Sequence, residues 1–285
     1  MHNAAQRIAF VNGVYTTLAE AKISIMDRGF LFADGVYEVS AVLGGRLVDN
    51  DAHLARLQRS LSALQIPNPL SDADWIGIEQ ELVARNHLIE GVVYIEVTRG
   101  VAEREFVYPR DLKPTVVLFT QEKTIVASPL VARGAKIVTA PDLRWARRDI
   151  KSVSLLAQVL AKQAAAEAGA AEVWMVEDGF VTEGGSSTAF FIGHDRRIVT
   201  RPLSAAILSG ITRRAVMRLA ASEQLVVEER AFTVAEAKAA AEVFYTSASN
   251  FVVPVVSIDG EPIGNGEPGP LTRQLSDIYV GFARG

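Results

Sequence analysis

Strand-like and helical segments alternate along all 285 residues of the chain, and this alternation constrains the fold more than any other feature of the sequence. Residues 36–43 have the apolar composition of a strand, whereas leucines repeat at helical spacing at Leu54, Leu57, Leu61 and Leu64. The earlier segments indicate a sheet with helices on one side, and the later segments mix strands with helices. The pattern therefore predicts an α+β protein.

Turn and capping residues mark the ends of these elements. Hairpin turns are predicted at Asn12-Gly13, Gly44-Gly45 and Asp259-Gly260. Further strands are predicted at 92–99, 114–119, 136–140, 171–176, 225–229 and 242–246. Helices are predicted after a cap at Asn50 or Asp51, from Ser71 with Asp74 as the acid of a capping box, over 155–168, from Gly210, over 233–240 and over 270–283.

The length of the chain exceeds that of one average domain, so two domains are expected. Hydrophobic residues make up 49% of the sequence, which is enough to bury a large core. The pattern changes around 120–130, where QEKTIVASPL is typical of a connector. We predict a small N-terminal domain at 1–120, a linker at 121–127 and a larger domain at 128–285.

Composition excludes several classes of function. The net charge of −4 argues against a nucleic-acid or anionic-membrane partner. The absence of cysteine excludes disulfides, thiolate zinc sites and a cysteine nucleophile, and the four scattered histidines argue against any metal site. No apolar run is long enough for a membrane span, and the N-terminus does not resemble a signal peptide. We therefore expect a cytoplasmic protein that binds no metal, no membrane and no nucleic acid.

Lys151 is the first candidate for chemistry. The chain has only seven lysines against twenty-two arginines, and Lys151 lies between an arginine-rich stretch and an apolar helix. A lysine shielded from water near cations has a lowered pKa, and its neutral amine can form a Schiff base with an aldehyde. A surface lysine in front of a helix cap would have the same sequence signature, so both interpretations stay open at this point.

Four other features could bind an anion. Residues 183–187 (EGGSS) offer close backbone approach and small hydroxyl donors to a phosphate or carboxylate. The helix predicted from Gly210 would present unpaired N–H groups, and residues 246–250 form a hydroxyl-rich turn. Arg56 interrupts an apolar helix face and needs an anionic partner, either a phosphate or a structural ion pair. Ordinary turns and simple helix capping would explain the first three features equally well.

The order of these segments resembles that of the fold-type IV pyridoxal-phosphate enzymes. The matching motifs are Asp27-Arg28-Gly29-Phe30, Asp34-Gly35-Val36-Tyr37-Glu38-Val39, Arg56, Asp149-Ile150-Lys151-Ser152, Glu183-Gly184-Gly185-Ser186-Ser187 and Gly210-Ile211-Thr212. The family includes D-amino-acid and branched-chain aminotransferases, (R)-amine transaminases and aminodeoxychorismate lyases. The resemblance spans residues 8–282 and implies a small α/β N-terminal domain followed by a larger, mixed α/β-barrel-like domain that binds pyridoxal phosphate.

The resemblance also implies a role for each matching residue. Lys151 would hold the cofactor and shuttle a proton between the substrate Cα and the cofactor. Glu183 would pair with the pyridine nitrogen and keep it protonated. Further cofactor contacts are implied for Arg56, Ile211, Thr212, Leu208, Tyr37, Ser186, Ser187, Ser247 and Ala248, the first three of them with the phosphate.

Within the family, the best match is to the D-amino-acid aminotransferases. It rests on GVYEV at 35–39, LLAQVLAKQAA at 155–165 and YIEVTRG at 94–100. Branched-chain enzymes usually carry an arginine where this chain has Glu96 and Val97. Substrate contacts are implied for Tyr37, Val39, Arg104, Phe106, Ser187 and Ala248.

Three positions depart from the expected pattern: Phe106, Ala248 and Ala33, the last of which replaces a usual glycine. Phe106 stands where these enzymes have a histidine that helps to bind the substrate carboxylate. Losing a hydrogen bond to a charged group costs about 1.5–3 kcal/mol, so carboxylate preference should weaken unless Arg99 or Arg28 compensates. Ala248 stands where the family often has a threonine that contacts the phosphate, and Ser247, Ser249 or a backbone N–H could substitute.

The implied activity is transfer of an amino group from a D-amino acid to a 2-oxo acid, such as pyruvate or 2-oxoglutarate, by a ping-pong mechanism. Members of the family are usually homodimers, which implies a homodimer here. An (R)-amine transaminase or a branched-chain aminotransferase is the alternative. Aminodeoxychorismate lyase activity and a non-catalytic cofactor-binding role are less favoured, the latter because both Lys151 and Glu183 are intact.

Overall fold

The computed structural model describes residues 6–285 and divides them into two compact units. The first unit is the described chain up to Thr124 together with Ile150–Ser154, and the second comprises Ile125–Asp149 and Leu155–Gly285. The sequence prediction places residues 150–154 in the second domain. The difference arises because the backbone of this short segment hydrogen-bonds to a strand of the first unit, an interaction that sequence proximity does not reveal.

The first unit contains a six-stranded sheet in which all neighbouring strands are antiparallel. Its order is β2-β1-β6-β5-β3-β4. The strands are β1 (Ile8–Val11), β2 (Val14–Thr17), β3 (Gly35–Leu43), β4 (Arg46–Leu47), β5 (Glu90–Thr98) and β6 (Thr115–Glu122). The predicted turns at Asn12-Gly13 and Gly44-Gly45 are confirmed, and three of these four residues have φ between 48° and 74° while Gly13 has 97°.

Among its described residues, the first unit has three helices: α1 (Arg28–Phe32), α2 (Asn50–Ala63) and α3 (Asp72–Arg85). Of these, α2 and α3 cover one face of this sheet. Leucines of α2 and Trp75 of α3 pack in one core with Val36, Val93 and Ile95, which point to the same side of the sheet. The capping box predicted for α3 is confirmed, with Ser71 and Asp74 bonded reciprocally.

The predicted cap of α2 is wrong. Asp49 occupies the N-cap position and makes no capping bond through its side chain. Asn50 is the first helical residue, and its amide instead donates to Glu79 of α3 (2.6 Å) and accepts from Ser40 of β3 (2.9 Å). Burial, together with the nearby charge of Glu38, raises the pKa of Glu79 to about 7. Buried polar groups on neighbouring elements thus compete for the side chain that local sequence assigns to capping.

The second unit contains a nine-stranded mixed sheet of order β12-β11-β10-β13-β14-β7-β8-β9, with β15 paired to β14. Its strands are β7 (Ala135–Pro141), β8 (Glu172–Glu177), β9 (Phe180–Gly184), β10 (Thr188–Ile192), β11 (Ile198–Thr200), β12 (Val227–Glu229), β13 (Glu242–Ser247), β14 (Phe251–Ile258) and β15 (Glu261–Pro262). Its helices are α4 (Pro129–Arg133), α5 (Leu156–Glu167), α6 (Ile211–Ser222), α7 (Val234–Lys238) and α8 (Pro270–Arg284).

The sheet of the second unit curls until its two ends meet. The N–H of Val181, in the edge strand β9, donates to the carbonyl of Phe232 just beyond β12 (2.9 Å), and Phe180 forms an isolated bridge with Thr233. Trp174 and Phe232 pack edge-to-face in the core enclosed by this curl. The α+β prediction is confirmed, and the closure accounts for the expected barrel-like character of this unit.

Among the short elements, α1, α4 and β11 were not predicted. Each spans five residues or fewer, too few for a hydrophobic period to be recognised. Within residues 6–285, no helix combines the length and apolar character that a bilayer crossing requires.

Candidate active site

The backbone of Lys151 is fixed against β3 of the first unit. The N–H of Tyr37 donates to the Lys151 carbonyl (2.9 Å), and the N–H of Val153 donates to the Gly35 carbonyl (3.1 Å). On the other side, the Lys151 N–H donates to the hydroxyl of Ser60 in α2 (3.3 Å). Bonds on both sides of one residue hold its main chain in place, so the side chain projects from a rigid base.

The amine of Lys151 lies on an aromatic wall. Its Nζ is 4.1 Å from the centroid of the Tyr37 ring, and that ring stacks on Tyr94 at 5.6 Å. Lys151 and Tyr37 are both half-buried, which disfavours the surface-lysine alternative. Val39, two residues along β3, shares the face of Tyr37 and is also half-buried. The first unit therefore brings together Lys151, Tyr37 and Val39.

Arg56 is buried in α2 and is ion-paired with Glu38 of β3. Its Nε and Nη2 donate to the two carboxylate oxygens at 2.7 and 2.8 Å, and His53 Nδ1 lies 2.9 Å from Oε2. Burial would raise the pKa of Glu38, but the charge and hydrogen bonds of Arg56 and the bond to His53 outweigh it and hold that pKa well below its usual range. The ion pair left open by the sequence is therefore present, while a contact of Arg56 with phosphate stays a prediction.

Glu38 and His53 were not singled out from the sequence. Their only sequence signals are an acid inside an apolar strand and a histidine three residues before Arg56, which places both basic residues on one helix face. Neither signal identifies the partner, because Glu38 and Arg56 meet only when α2 packs on the sheet.

Arg104 and Phe106 lie in an exposed loop of the first unit. The Phe106 side chain is 82% exposed and contacts Phe32 at a ring distance of 5.5 Å, and the Arg104 guanidinium lies 5.4 Å from the same Phe32 ring. The two arginines considered as replacements, Arg28 and Arg99, both bind Asp34 at 2.8 Å. Of these three arginines, Arg104 is the one without a carboxylate partner among the described residues.

Glu183 is buried in β9 of the second unit, where side-chain and backbone donors bind its carboxylate. Arg144 Nη1 donates at 2.5 Å, and the N–H of Leu208 is shared between the two oxygens at 3.2 and 3.1 Å. Leu208 thus contacts Glu183 through its backbone, and its half-buried side chain remains available to pack against a ring. An ionised acid held in a low-dielectric site by fixed donors is suited to bind a protonated ring nitrogen.

Arg144 belongs to a chain of alternating charges that the sequence showed only as an arginine cluster. Asp142 binds Arg144 at 2.7 Å and Arg148 at 3.5 Å, and Arg148 also binds Glu177 at 2.6 Å. Although burial opposes the shift, hydrogen bonds from Arg144 and Thr182 lower the pKa of Asp142. Arg144 and Arg148 of this cluster therefore form ion pairs with carboxylates of the same unit, including Glu183.

Ser186 and Ser187 form a turn beside a buried acid of β8. Both hydroxyls donate to Glu172, at 3.3 and 3.0 Å, and Lys162 of α5 is its counter-ion at 3.1 Å. The sequence analysis did not select Glu172, which lies outside the family motifs, and it assigned no role to Lys162.

The start of α6 is suited to bind an anion. Gly210 is its N-cap and provides no side-chain bond, so the first N–H groups, including those of Ile211 and Thr212, depend on other acceptors. A Cβ at Gly210 would lie 2.8 Å from Thr188 Oγ1, and Thr188 pairs with Thr246, whose buried hydroxyl has no partner among the described residues.

The other predicted contacts of this region lie in the turn after β13. Ser247 and Ala248 are half-buried there, and the Ser247 hydroxyl accepts a long bond from Asn250 (3.4 Å). Ser247, Ser249 and the backbone N–H groups of this turn are the candidates to replace the threonine hydroxyl that Ala248 lacks.

Each unit, taken by itself, contains groups of a kind that suits pyridoxal phosphate. In the first unit, Lys151 has an amine that can react with an aldehyde. In the second unit, Glu183 is a fixed carboxylate suited to a protonated ring nitrogen. The N-terminus of α6 and the Thr246 hydroxyl, which has no partner among the described residues, are suited to a phosphate.

Comparison with known proteins leads to the same family as the sequence motifs. Residues 35–258 match the model of the family described as amino-transferase class IV. The chain is 41% identical over 266 residues to a D-alanine aminotransferase of Bacillus licheniformis, covering 93% of each protein.

Two solved structures show the fold. The branched-chain amino acid aminotransferase of Escherichia coli has a TM-score of 0.90 at 20% identity, covering 98% of this chain and 95% of that one. The branched-chain amino acid aminotransferase of T.th., in its structure with pyridoxamine 5'-phosphate, has a TM-score of 0.89 at 24% identity, covering 99% and 96%. The predicted fold-type IV architecture is thereby confirmed, and the chain belongs to the pyridoxal-phosphate-dependent class IV aminotransferases.

Proposed function

We propose that the protein transfers the amino group of a D-amino acid, D-alanine in the first instance, to a 2-oxo acid such as pyruvate or 2-oxoglutarate. The observation that carries this proposal is the position of the Lys151 amine over the Tyr37 ring. The similarity of the chain to a D-alanine aminotransferase supports it. Donor and acceptor would use the site in turn, as a ping-pong mechanism requires.

Each residue of the site has a defined task in this reaction. When bound, pyridoxal phosphate supplies a carbonyl for the incoming amine and a ring that accepts electrons. Lys151 Nζ takes the proton from the substrate Cα as general base, and Tyr37 and Val39 orient the substrate. Glu183 would accept a hydrogen bond from the ring nitrogen, and Leu208 would pack on the ring.

Two groups of residues complete the binding site. Arg56, Ile211 and Thr212 would hold the phosphate, and Ser247 and Ala248 would lie beside it. Ser186 and Ser187 would lie beside the ring and the substrate. Arg104 would contact the substrate carboxylate, and Phe106 would contact the apolar part of the substrate. Fixed positions of these groups lower the entropic part of the barrier.

Spectral titration of the purified holoenzyme tests the proposal. D-Alanine or D-glutamate should bleach the visible band of the cofactor as it accepts the amino group, and pyruvate should restore the band. L-Alanine at the same concentration should act far more slowly. Absence of any spectral change with D-amino acids would contradict the proposal.

Arg104 provides a second prediction. Arg104→Ala should raise KM for D-alanine about tenfold, because the guanidinium can grip a carboxylate in a bidentate manner. Turnover of (R)-1-phenylethylamine, which has no carboxylate, should stay unchanged in the same variant. An equal loss with both substrates would show that Arg104 does not bind the carboxylate.

Phe106 favours (R)-amine transamination as the second candidate. Its exposed ring stands in place of the usual histidine and lies against Phe32, so the loop offers apolar surface beside Arg104. Faster turnover of (R)-1-phenylethylamine than of D-alanine would favour this candidate. A branched-chain aminotransferase shares the fold but is not better supported.

We also propose a homodimer. Leu156, Val159 and Leu160 are exposed on one stripe of α5, and an apolar stripe of this kind is typical of a subunit contact. The cytoplasmic location expected from the sequence stays a prediction.

A further inference from the structure

Glu172 organises the turn that contains Ser186 and Ser187. Its side chain is only 3% exposed, and its carboxylate accepts hydrogen bonds from four donors. Ser187 Oγ donates at 3.0 Å, Ser186 Oγ at 3.3 Å, Lys162 Nζ at 3.1 Å and the N–H of Val173 at 2.8 Å. A buried carboxylate with an ammonium partner and three further donors is fully satisfied as an anion.

The backbone fixes this arrangement. The N–H of Gly184 donates to the Ser187 carbonyl (2.7 Å), and the N–H of Gly185 donates to the Val173 carbonyl (2.9 Å). A Cβ at Gly184 would collide with Ser187 Oγ, so only glycine leaves room for this hydroxyl to reach Glu172.

The bonds to Glu172 determine what the two hydroxyls can offer a ligand. A serine hydroxyl has one hydrogen to donate and two lone pairs with which to accept. Because an ionised carboxylate can only accept hydrogen bonds, each hydroxyl donates its one hydrogen to Glu172. Ser186 and Ser187 therefore present lone pairs alone, contrary to the sequence expectation of a donor-rich lining for phosphate or carboxylate.

We propose that the Ser186–Ser187 turn is an acceptor site for the amino group that the enzyme transfers, and that Glu172 is the positioning residue that sets its polarity. The inference rests on the proposed function, which limits the possible ligands. Phosphate, carboxylate and carbonyl oxygens are all acceptors, and the ring nitrogen is assigned to Glu183. The ring hydroxyl is common to both forms of the cofactor, so the amino group is the donor that distinguishes them.

A consequence is that the turn should favour the amine-bearing form of the cofactor over the aldehyde form. Binding can be compared in a Lys151→Ala background, where neither form is attached covalently. Dissociation constants for pyridoxamine phosphate and pyridoxal phosphate are measured by tryptophan fluorescence, without turnover. The ratio of the two dissociation constants is the readout, because a general loss of structure would weaken the binding of both forms equally.

Glu172→Gln is the informative variant. It keeps the shape of the side chain, but its amide can donate to Ser187, which frees the hydroxyl hydrogen to point at the ligand. The preference for pyridoxamine phosphate should fall about tenfold, the size expected for a hydrogen bond to a charged group. Ser187→Ala should lower the same ratio, whereas Glu167→Gln, on the exposed side of α5, should leave it unchanged.

An unchanged ratio in Ser187→Ala, or an equal weakening of both forms in Glu172→Gln, would overturn the proposal. If Glu172→Gln does not fold, as judged by circular dichroism, Ser187→Ala alone decides. The D-alanine titration of the wild-type enzyme does not depend on this ratio. Failure of the acceptor site can therefore be distinguished from failure of the proposed function.

Discussion

Lys151→Ala is expected to lower turnover of D-alanine by about 10³-fold or more. Proton transfer by a positioned base contributes about 10²–10⁴-fold by itself, and the variant also loses the amine that attaches the cofactor. The measurement is the rate of bleaching in a single half-reaction with saturating D-alanine, together with the absorption spectrum of the protein after incubation with pyridoxal phosphate.

The fold should survive this change, because the bonds that fix residue 151 involve its main chain and not its amine. Thermal melting of Lys151→Ala should therefore stay close to that of the wild type. Lys151→Arg is the matched control: it keeps the positive charge, but a guanidinium stays protonated and cannot act as base or nucleophile. Either variant retaining a tenth of wild-type activity would rule out the role assigned to Lys151.

Glu38→Gln is expected to lower the free energy of unfolding by about 3–5 kcal/mol, because it leaves the buried charge of Arg56 without its partner. The carboxylate of Glu38 is fully buried and receives two bonds from Arg56 and one from His53. Urea unfolding at pH 7 measures the change. Glu81→Gln breaks the pair with Arg85 on the surface of α3 and should cost less than about 0.5 kcal/mol.

The effect of Glu38→Gln should depend on pH in a definite direction. The pKa of Glu38 is held below its ordinary value of 4.5, so its contribution is complete above that value and is lost as the pH falls toward the lowered pKa. The difference between wild type and variant should therefore shrink below about pH 4.5. A difference that grows in acid would contradict the assignment of Glu38 as the charged partner.

The sequence by itself determined the features that depend on neighbours in the chain. Leucines at helical spacing predicted α2, Asn12-Gly13 predicted the first hairpin, and Ser71 with Asp74 predicted the start of α3. The order of the family motifs was sufficient to select Lys151 and Glu183. These signals are local, because periodicity and turn chemistry act over a few residues.

Only the tertiary structure decided which polar groups meet. Asn50 was expected as a cap but binds Glu79, 29 residues away, and Glu183 is held by Arg144 at a separation of 39. Segment 150–154 joins the first unit through backbone bonds to β3, more than a hundred residues earlier in the chain. Hydrogen bonds and ion pairs between distant segments form only after the apolar faces have packed, so no local pattern records them.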